Sequence, residues 1–298
     1  MHIEYLKVFY EVASAKSISK IAKSSHISQP ALSQQIQRME EDMGFTLLER
    51  SNKGVELTEA GHIVDKYARH MLKAFDNMMA DLSNIRKNNC TIRIDASPIV
   101  ATYALPCTIY NAKKNYPNYN FTLSSVFSEE VEINVANDIC QIGFTHNKPT
   151  DKSLIYSKVG TDRLVPVASS NFNINHNVKL NDLVKLQLIM LTEQFMERKA
   201  LNEYFKSCGI KTEDINIIFD LDSIESVKST VIKGYGVSFL PYIAIKKELY
   251  TKQLKEIEIP DFDLSYDIYI LYKKEQDSRS NTRELLQYIK KAGEKSFC

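Results

Sequence analysis

SQPALSQQIQRMEE, residues 28–41, packs four glutamines, two serines and one arginine into a single short run. Leu32, Ile36, Met39 and Met43 are spaced four, three and four, so they form one buried stripe on a helix. Ser28 can cap that helix, Pro30 fits its first turn where the missing N–H costs nothing, and Gly44 can end it. Advancing 100° per residue from the stripe puts Pro30, Ser33, Gln34, Gln37 and Glu41 on the opposite face. Arg38 falls at the edge of that face and Gln29 in the first turn. Glutamine and serine side chains pair with base edges in a major groove, and a helix N-terminus favours phosphate. Glutamine-rich faces also occur on ordinary solvated helices, so the flanking segments have to decide.

The flanks favour DNA. Ile3, Leu6, Phe9, Val12 and Ala13 have helical spacing, and Ser17 can cap a short second helix carrying Ile18, Ile21 and Ala22. "SSHIS" then interrupts the pattern. After Gly44, "LLERSNKGVEL" offers two short extended runs around Ser51–Gly54, a hairpin. Together these predict a helix-turn-helix with residues 28–42 as recognition helix, and a wing that would bring Arg50 and Lys53 to phosphates or the minor groove. Residues 1–57 hold seven basic and seven acidic side chains, so this head is neutral. Three of the acids cluster at 40–42, at the far end of the helix, and affinity should then rely on doubling the head.

From Thr58 to Asn88 there is no proline, and one glycine near the start. Leu57, Val64, Met71, Met78 and Ile85 recur every seven residues, with Ala60, Tyr67, Phe75 and Leu82 drifting alongside. About 30 residues make a helix of roughly 45 Å, longer than a small head can cover. The spacing predicts a homodimer through residues 58–89; the competing reading is a helix packed on its own body.

The remainder alternates strand-like and helical runs: "TIRIDAS", "FTLSSV", "CQIGFTH", then a crossing near "YSKVGTDRLVPVASS", then "LIMLT", "NIIFDLD", "VSFLP" and "YDIYILYKK". That alternation predicts an α/β body with parallel sheets in two similar lobes and a ligand cleft between them.

Composition limits the function classes. The 298 residues are 44% hydrophobic and 25% charged with a formal net charge of +1, which excludes a generally basic nucleic-acid binder. No stretch is long and apolar enough to span a membrane, and the first residues lack a signal-peptide core, so a cytoplasmic protein is expected. Five scattered cysteines without CxxC spacing read as free thiols, and six dispersed histidines offer no metal site. No cofactor is expected. Gly234 and Gly236 lack the third glycine of a dinucleotide fingerprint, and no GxSxG, P-loop or HExxH motif is present. An enzyme is therefore not expected; the rival reading is a small-molecule-binding or enzymatic α/β body with an accessory helical head.

Residues 17–61, SISKIAKSSHISQPALSQQIQRMEEDMGFTLLERSNKGVELTEAG, closely resemble the DNA-binding head of LysR-type transcriptional regulators. Ala22, Ser28–Ser33, Gln35, Ile36, Glu40, Gly44, Leu48, Arg50 and Thr58–Gly61 carry the likeness, while Gln34 stands where many members have arginine. "SPIVATYALP", "NYP" and "VIKGYGVSFLP" resemble the family's effector domain more weakly.

The resemblance implies a winged helix-turn-helix at 1–57, a linker helix for dimerisation at 58–89, and a two-lobed, periplasmic-binding-protein-like effector domain at 90–298. Lobe I would be about 90–161 and 266–298, and lobe II about 162–265. It implies homotetramers built from dimers, interrupted palindromes in double-stranded DNA, a small-molecule effector and RNA polymerase as a partner. Carried over residue by residue, Gln29, Pro30, Ser33 and Gln34 would touch bases or the groove, beside Gln37 and Arg38, with Arg50 and Lys53 on the wing. The effector would meet Ser97, Pro98, Val100, Thr102 and Ser128 on one wall and Thr192, Glu193 and Ser223 on the other. Ser97 and Ser128 could equally cap the helices that follow their strands, and Thr192 and Glu193 could face solvent. The bulky "EQFMERK" departs from a small loop in many relatives; Glu193 there would disfavour an anionic effector and Arg198 would favour one.

Overall fold

The computed structural model describes residues 2–51, 54–85, 90–174, 178–260, 262–274 and 280–296. The chain forms two compact units, residues 1–88 and 89–298.

In the first unit, α1 (Ile3–Ala15), α2 (Ile18–Ser24) and α3 (Gln29–Met43) pack around Leu6, Phe9, Val12, Ile18, Ala22, Leu32, Ile36 and Met39. Met43, expected in the buried stripe, is only half-buried, because Gly44 ends the helix one residue later. Ser17 Oγ accepts the Lys20 N–H at 3.3 Å and Ser28 Oγ the Ala31 N–H at 3.4 Å, so each helix start is capped by its own serine. Gly44 takes the left-handed conformation (φ 73°) that ends α3, a position where a Cβ would be strained. The hairpin follows as β1 (Leu48–Ser51) and β2 (Gly54–Leu57), antiparallel. Glu40 Oε1 accepts the N–H groups of Leu47 (2.7 Å) and Leu48 (3.1 Å), which ties the wing to the recognition helix. One of the three acids that neutralise the head is thus a structural clamp.

Helix α4 (Glu59–Ile85) has two apolar sides rather than one. Ala60, Val64, Ala68 and Leu72, spaced by four, pack onto the head's own core. Ile63, Tyr67, Met71, Phe75, Met78, Met79 and Leu82 are exposed. The sevenfold pattern in the sequence merged these sides: Ala60 and Val64 belong to the head, and Met71, Met78 and Leu82 to the open side. At 27 residues, α4 is roughly 40 Å long.

The second unit begins with β3 (Cys90–Ala96), then a π-helical turn (Val100–Ala104), α5 (Leu105–Asn115), β4 (Tyr119–Ser125), α6 (Ser128–Ala136) and β5 (Ile142–Thr145). Strand β6 (Leu154–Ser169) follows, then α7 (Leu180–Leu183), β7 (Leu188–Leu191), α8 (Met196–Ser207), β8 (Ile217–Leu221) and α9 (Ile224–Ile232). The chain closes with β9 (Ser238–Pro241), α10 (Tyr242–Tyr250), β10 (Leu254–Glu256), β11 (Ser265–Lys273) and α11 (Ser280–Ser296). Strands β3, β4 and β5 are parallel, as are β7 and β8, but β6 pairs antiparallel with β9, β10 and β11, and β11 antiparallel with β5. The seven-stranded sheet is therefore mixed, while the β7–β8 sheet is parallel as expected. The reason is that the chain leaves the first lobe along β6 and returns along β11, and these two crossing strands pair with each other. Val159 of β6 lies in one core with Ile268 and Ile270, whereas Val165 and Val167 lie in another with Ile189 and Leu191. The two lobes thus meet over the middle of β6 and the start of β11.

Candidate nucleic-acid interface and ligand cleft

Gln29, Pro30, Gln34, Gln37 and Arg38 are exposed on α3, and Ser33 is half-buried beside them. Burial of Leu32, Ile36 and Met39 fixes that orientation. Gln37 donates to Glu41 Oε1 at 3.1 Å, so this amide is partly committed along the helix. In the wing, Arg50 pairs with Val55 across the hairpin; Lys53 lies outside the described residues.

The cleft groups follow from strand direction. Parallel strands deliver their C-terminal ends to one edge, where α/β sheets carry ligand sites. Ser97 follows β3, Ser128 opens α6 after β4, His146 follows β5, Thr192 follows β7 and Ser223 follows β8. A cavity of about 600 Å³ is lined by Phe127, Ser128, Glu129, Thr192, Glu193, Gln194, Met196, Lys199 and Asp222. A neighbouring cavity of about 960 Å³ shares Ser128 and Glu129 and adds His146, Lys148 and Tyr269.

Not every expected residue reaches this space. Val100 packs into the first lobe's core at 1% exposure, so its side chain is unavailable to a ligand. Thr102 is exposed and spends its hydroxyl on the Pro98 carbonyl at 2.7 Å, and neither residue lines the cavities. Ser97 is buried, and its hydroxyl turns to His146 Nε2 at 3.1 Å instead of capping a helix. Ser128 is the first residue of α6, and Phe127 holds the cap position without a side-chain bond. Thr192 Oγ1 is buried with no hydrogen-bond partner. Glu193 is exposed in the cleft wall, held loosely by Asn202 Nδ2 at 3.4 Å. Ser223 caps α9 by position only, next to Asp222 in the wall. Arg198 is buried and spent on Asn202 Oδ1 (2.9 Å), Asp220 Oδ1 (3.0 Å) and the Leu191 carbonyl (3.2 Å). It therefore cannot serve as the anion-binding group that the sequence suggested.

Other contacts tie the lobes across the cleft. His146 Nε2 lies 2.9 Å from Glu197 Oε1, with both side chains 4% exposed. Lys199 pairs with Glu129 at 2.7 Å, and Phe127 meets Phe195 edge-on at 5.5 Å. Tyr103 donates to Glu225, and Lys228 lies 2.9 Å from Glu225 and 5.2 Å from the Tyr103 ring. The Tyr103 and Lys228 contacts hold the Glu225 carboxyl below its ordinary range. Under the cleft, Tyr266 packs edge-on to His146 at 4.9 Å and donates to Asp162 Oδ2 at 3.2 Å. Burial pushes both Tyr266 and Asp162 upward. Sequence reading missed His146, Glu197, Asp162 and Tyr266; a histidine closing the strand "CQIGFTH" was the one visible signal.

Ser97, His146 and Glu197 do not make a nucleophilic triad. Hydroxyl and carboxylate both meet Nε2, while Nδ1 has no partner. Activation of a serine needs the acid on the opposite nitrogen.

A three-helix head with a hairpin wing, a long helix and a two-lobed α/β body define a helix-turn-helix regulator with a ligand-domain-type body. Residues 3–62 match the family model for bacterial regulatory helix-turn-helix proteins of the lysR family, and residues 86–294 match the LysR substrate binding domain. A probable RuBisCO transcriptional regulator of Cyanophora paradoxa is 30% identical over 253 residues, covering 83% of this chain and 78% of its own. CbnR, a LysR family transcriptional regulator, superposes with a TM-score of 0.72 at 19% identity over 98% of this chain and 99% of its own. The full-length complex of CbnR with its target DNA gives 0.68 at 19% identity, over 98% of this chain and 100% of that one. The Synechocystis CcmR regulatory domain in complex with 2-PG gives 0.60 at 19% identity, covering 68% of this chain and 96% of that domain. The chain belongs to the LysR family of transcriptional regulators. It is a DNA-binding regulator and not an enzyme. Among the described residues, no helix is long and apolar enough to cross a membrane.

Proposed function

We propose that this regulator reads an interrupted palindrome in double-stranded DNA through α3, in the cytoplasm, under control of a small molecule bound between the lobes of residues 90–298. Gln29, Pro30, Ser33 and Gln34 contact bases or the groove floor, Gln37 and Arg38 the groove edge, and Arg50 and Lys53 the flanking phosphates. Supporting this is one observation above the rest: α3 exposes amides and an arginine opposite the buried Leu32, Ile36 and Met39. Residues 58–89 pair two copies through the exposed apolar side of α4, giving each dimer two heads for two half-sites, and dimers join as tetramers. CbnR is known in complex with its target DNA, and the CcmR domain with 2-PG; both complexes support the same division of labour here.

In the cleft the proposed contacts are Ser128, Thr192, Glu193 and the segment at Ser223, with Ser97 at the base. The effector acts by binding one lobe arrangement more tightly than the other, which changes how dimers pack, how the heads space on DNA and how RNA polymerase is met.

The test is a footprint of the purified protein on the DNA flanking its own gene, at stated salt. Protection of an interrupted palindrome is expected, and Gln29→Ala or Ser33→Ala should weaken its preference for that sequence. Gln34→Ala should leave folding within about 0.5 kcal/mol, since the position is exposed, yet cost about 1–3 kcal/mol of base discrimination. A narrowed preference of the Gln34→Ala protein for operator over scrambled DNA supports the assignment; unchanged discrimination in all three variants overturns it.

A further inference from the structure

We propose that His146, held by Ser97, forms a carboxylate-binding site which the chain fills with its own Glu197, so that the two lobes are latched to each other. The proposal rests on reading the interlobe cleft as the effector site, and it assigns that cleft a built-in occupant.

Ser97 and His146 stand at the ends of neighbouring parallel strands, β3 and β5, of the first lobe. Glu197 is the second residue of α8, whose Leu201 and Phe205 are buried in the other lobe. The 2.9 Å contact between His146 and Glu197 therefore spans the lobes and must break when they part. Nε2 is aligned on Ser97 Oγ at 3.1 Å, and neither His146 Nδ1 nor Glu197 Oε1 has an aligned hydrogen-bond partner. Charged or titratable groups facing the histidine are Glu197 from α8, Tyr266 from β11 and, behind Tyr266, Asp162 from β6.

Burial of such a pair is a poor way to gain stability, because desolvation offsets the attraction, and its best-attested use is to fix one arrangement over others. Here the arrangement is closure. The first turn of α8 forms a strap: Met196 Sδ receives Asn147 Nδ2 at 3.7 Å, Glu197 takes His146, and Lys199 takes Glu129 at 2.7 Å. All three partners belong to the first lobe. Glu197 thus fills, from the second lobe, a place between the lobes that a carboxylate can take. An effector that parts the lobes has to break this contact.

The experiment is chemical rescue in the full-length protein, read by amide hydrogen exchange across residues 196–200 and 144–147. Glu197→Ala should raise exchange in both segments about tenfold, and sodium acetate should restore protection where sodium chloride at equal ionic strength does not. Adding His146→Gln to Glu197→Ala should remove the acetate effect, and the wild-type protein should not respond to acetate. If Glu197→Ala does not fold, Glu197→Gln keeps the side-chain shape without the charge and should open the same segments. Unchanged exchange in the foldable variant, or equal effects of acetate and chloride, overturns the latch. None of these readouts involves DNA or an effector. Failure of the footprint with acetate rescue intact would overturn only the operator reading, and the reverse pattern only the latch.

Discussion

The outward face of α3 and the seam between the lobes carry similar side chains under opposite conditions. On α3, amides and an arginine point to solvent, with Gln37 donating along the helix to Glu41. In the seam, serine, histidine, carboxylates and a lysine face one another across two lobes, and His146 and Glu197 are almost wholly buried. The difference separates two ways of holding function. A face that only a buried stripe orients can change its sequence preference at little cost to folding. A seam built from mutual contacts cannot change without altering which lobe arrangement is favoured.

Helix α4 is the place to break the comparison most severely, because it combines the two conditions: one side packed on the head, the other apolar and open. Met71→Glu with Phe75→Glu places two charges on the open side, where the native residues are 50% and 38% exposed. Folding of the single chain should survive, while the dimer should dissociate in sedimentation and affinity for a palindrome should fall about 100-fold, the usual gain from joining two weak sites. A dimer that persists would remove α4 from the interface. Next in size is Gly61→Ala. A Cβ at Gly61 would stand 2.1 Å from the Leu47 carbonyl oxygen, a backbone atom that cannot swing away. Thr58 fastens the same corner, its hydroxyl donating to the Thr46 carbonyl at 2.8 Å and accepting the Gly61 N–H at 2.9 Å. The substitution should cost about 2 kcal/mol, seen as a lower denaturation midpoint, and should weaken the footprint although it lies off α3. A neutral result would mean that the wing is not wedged against α4.

These two changes also show what the sequence made legible. The stripe at Leu32, Ile36 and Met39, the caps at Ser17 and Ser28 and the hairpin all depend on residues within a few positions of each other, and periodicity exposes such relations directly. Helix α4 was readable as a helix, but its two apolar sides were not separable, since Ala60 and Val64 repeat like Met71 and Met78. In the body the strands were visible and their direction was not: β6 and β11 are about a hundred residues apart, and nothing local says that they pair antiparallel. The seam was least visible. His146 and Glu197 lie far apart in sequence and meet only because β5 ends and α8 begins at the same cleft. Arg198 looked like a ligand group from its charge, and its three contacts to Leu191, Asp220 and Asn202 are again long-range or depend on the helix phase.

The smallest expected effect concerns a second tie across the lobes and sets a buried contact against an exposed one. Glu225 is 62% exposed and is held below its ordinary range first by the Tyr103 hydroxyl and then by Lys228. A carboxyl with a depressed folded-state pKa adds stability above its unfolded pKa, and that contribution disappears as pH falls through the folded value. Glu225→Gln should therefore be less stable than the wild-type protein near neutral pH, by under about 1 kcal/mol given the exposure. The gap should narrow below the ordinary glutamate value of 4.5 and close once both states are protonated. Paired thermal melts across that range measure it. A gap independent of pH would mean that the amide at position 225 fails by shape rather than by charge, leaving the Tyr103 contact without an electrostatic role. A gap that closes with acid while Glu197→Gln still opens the seam at neutral pH would rank the two ties: the exposed pair trims stability, and the buried one sets which arrangement the lobes keep.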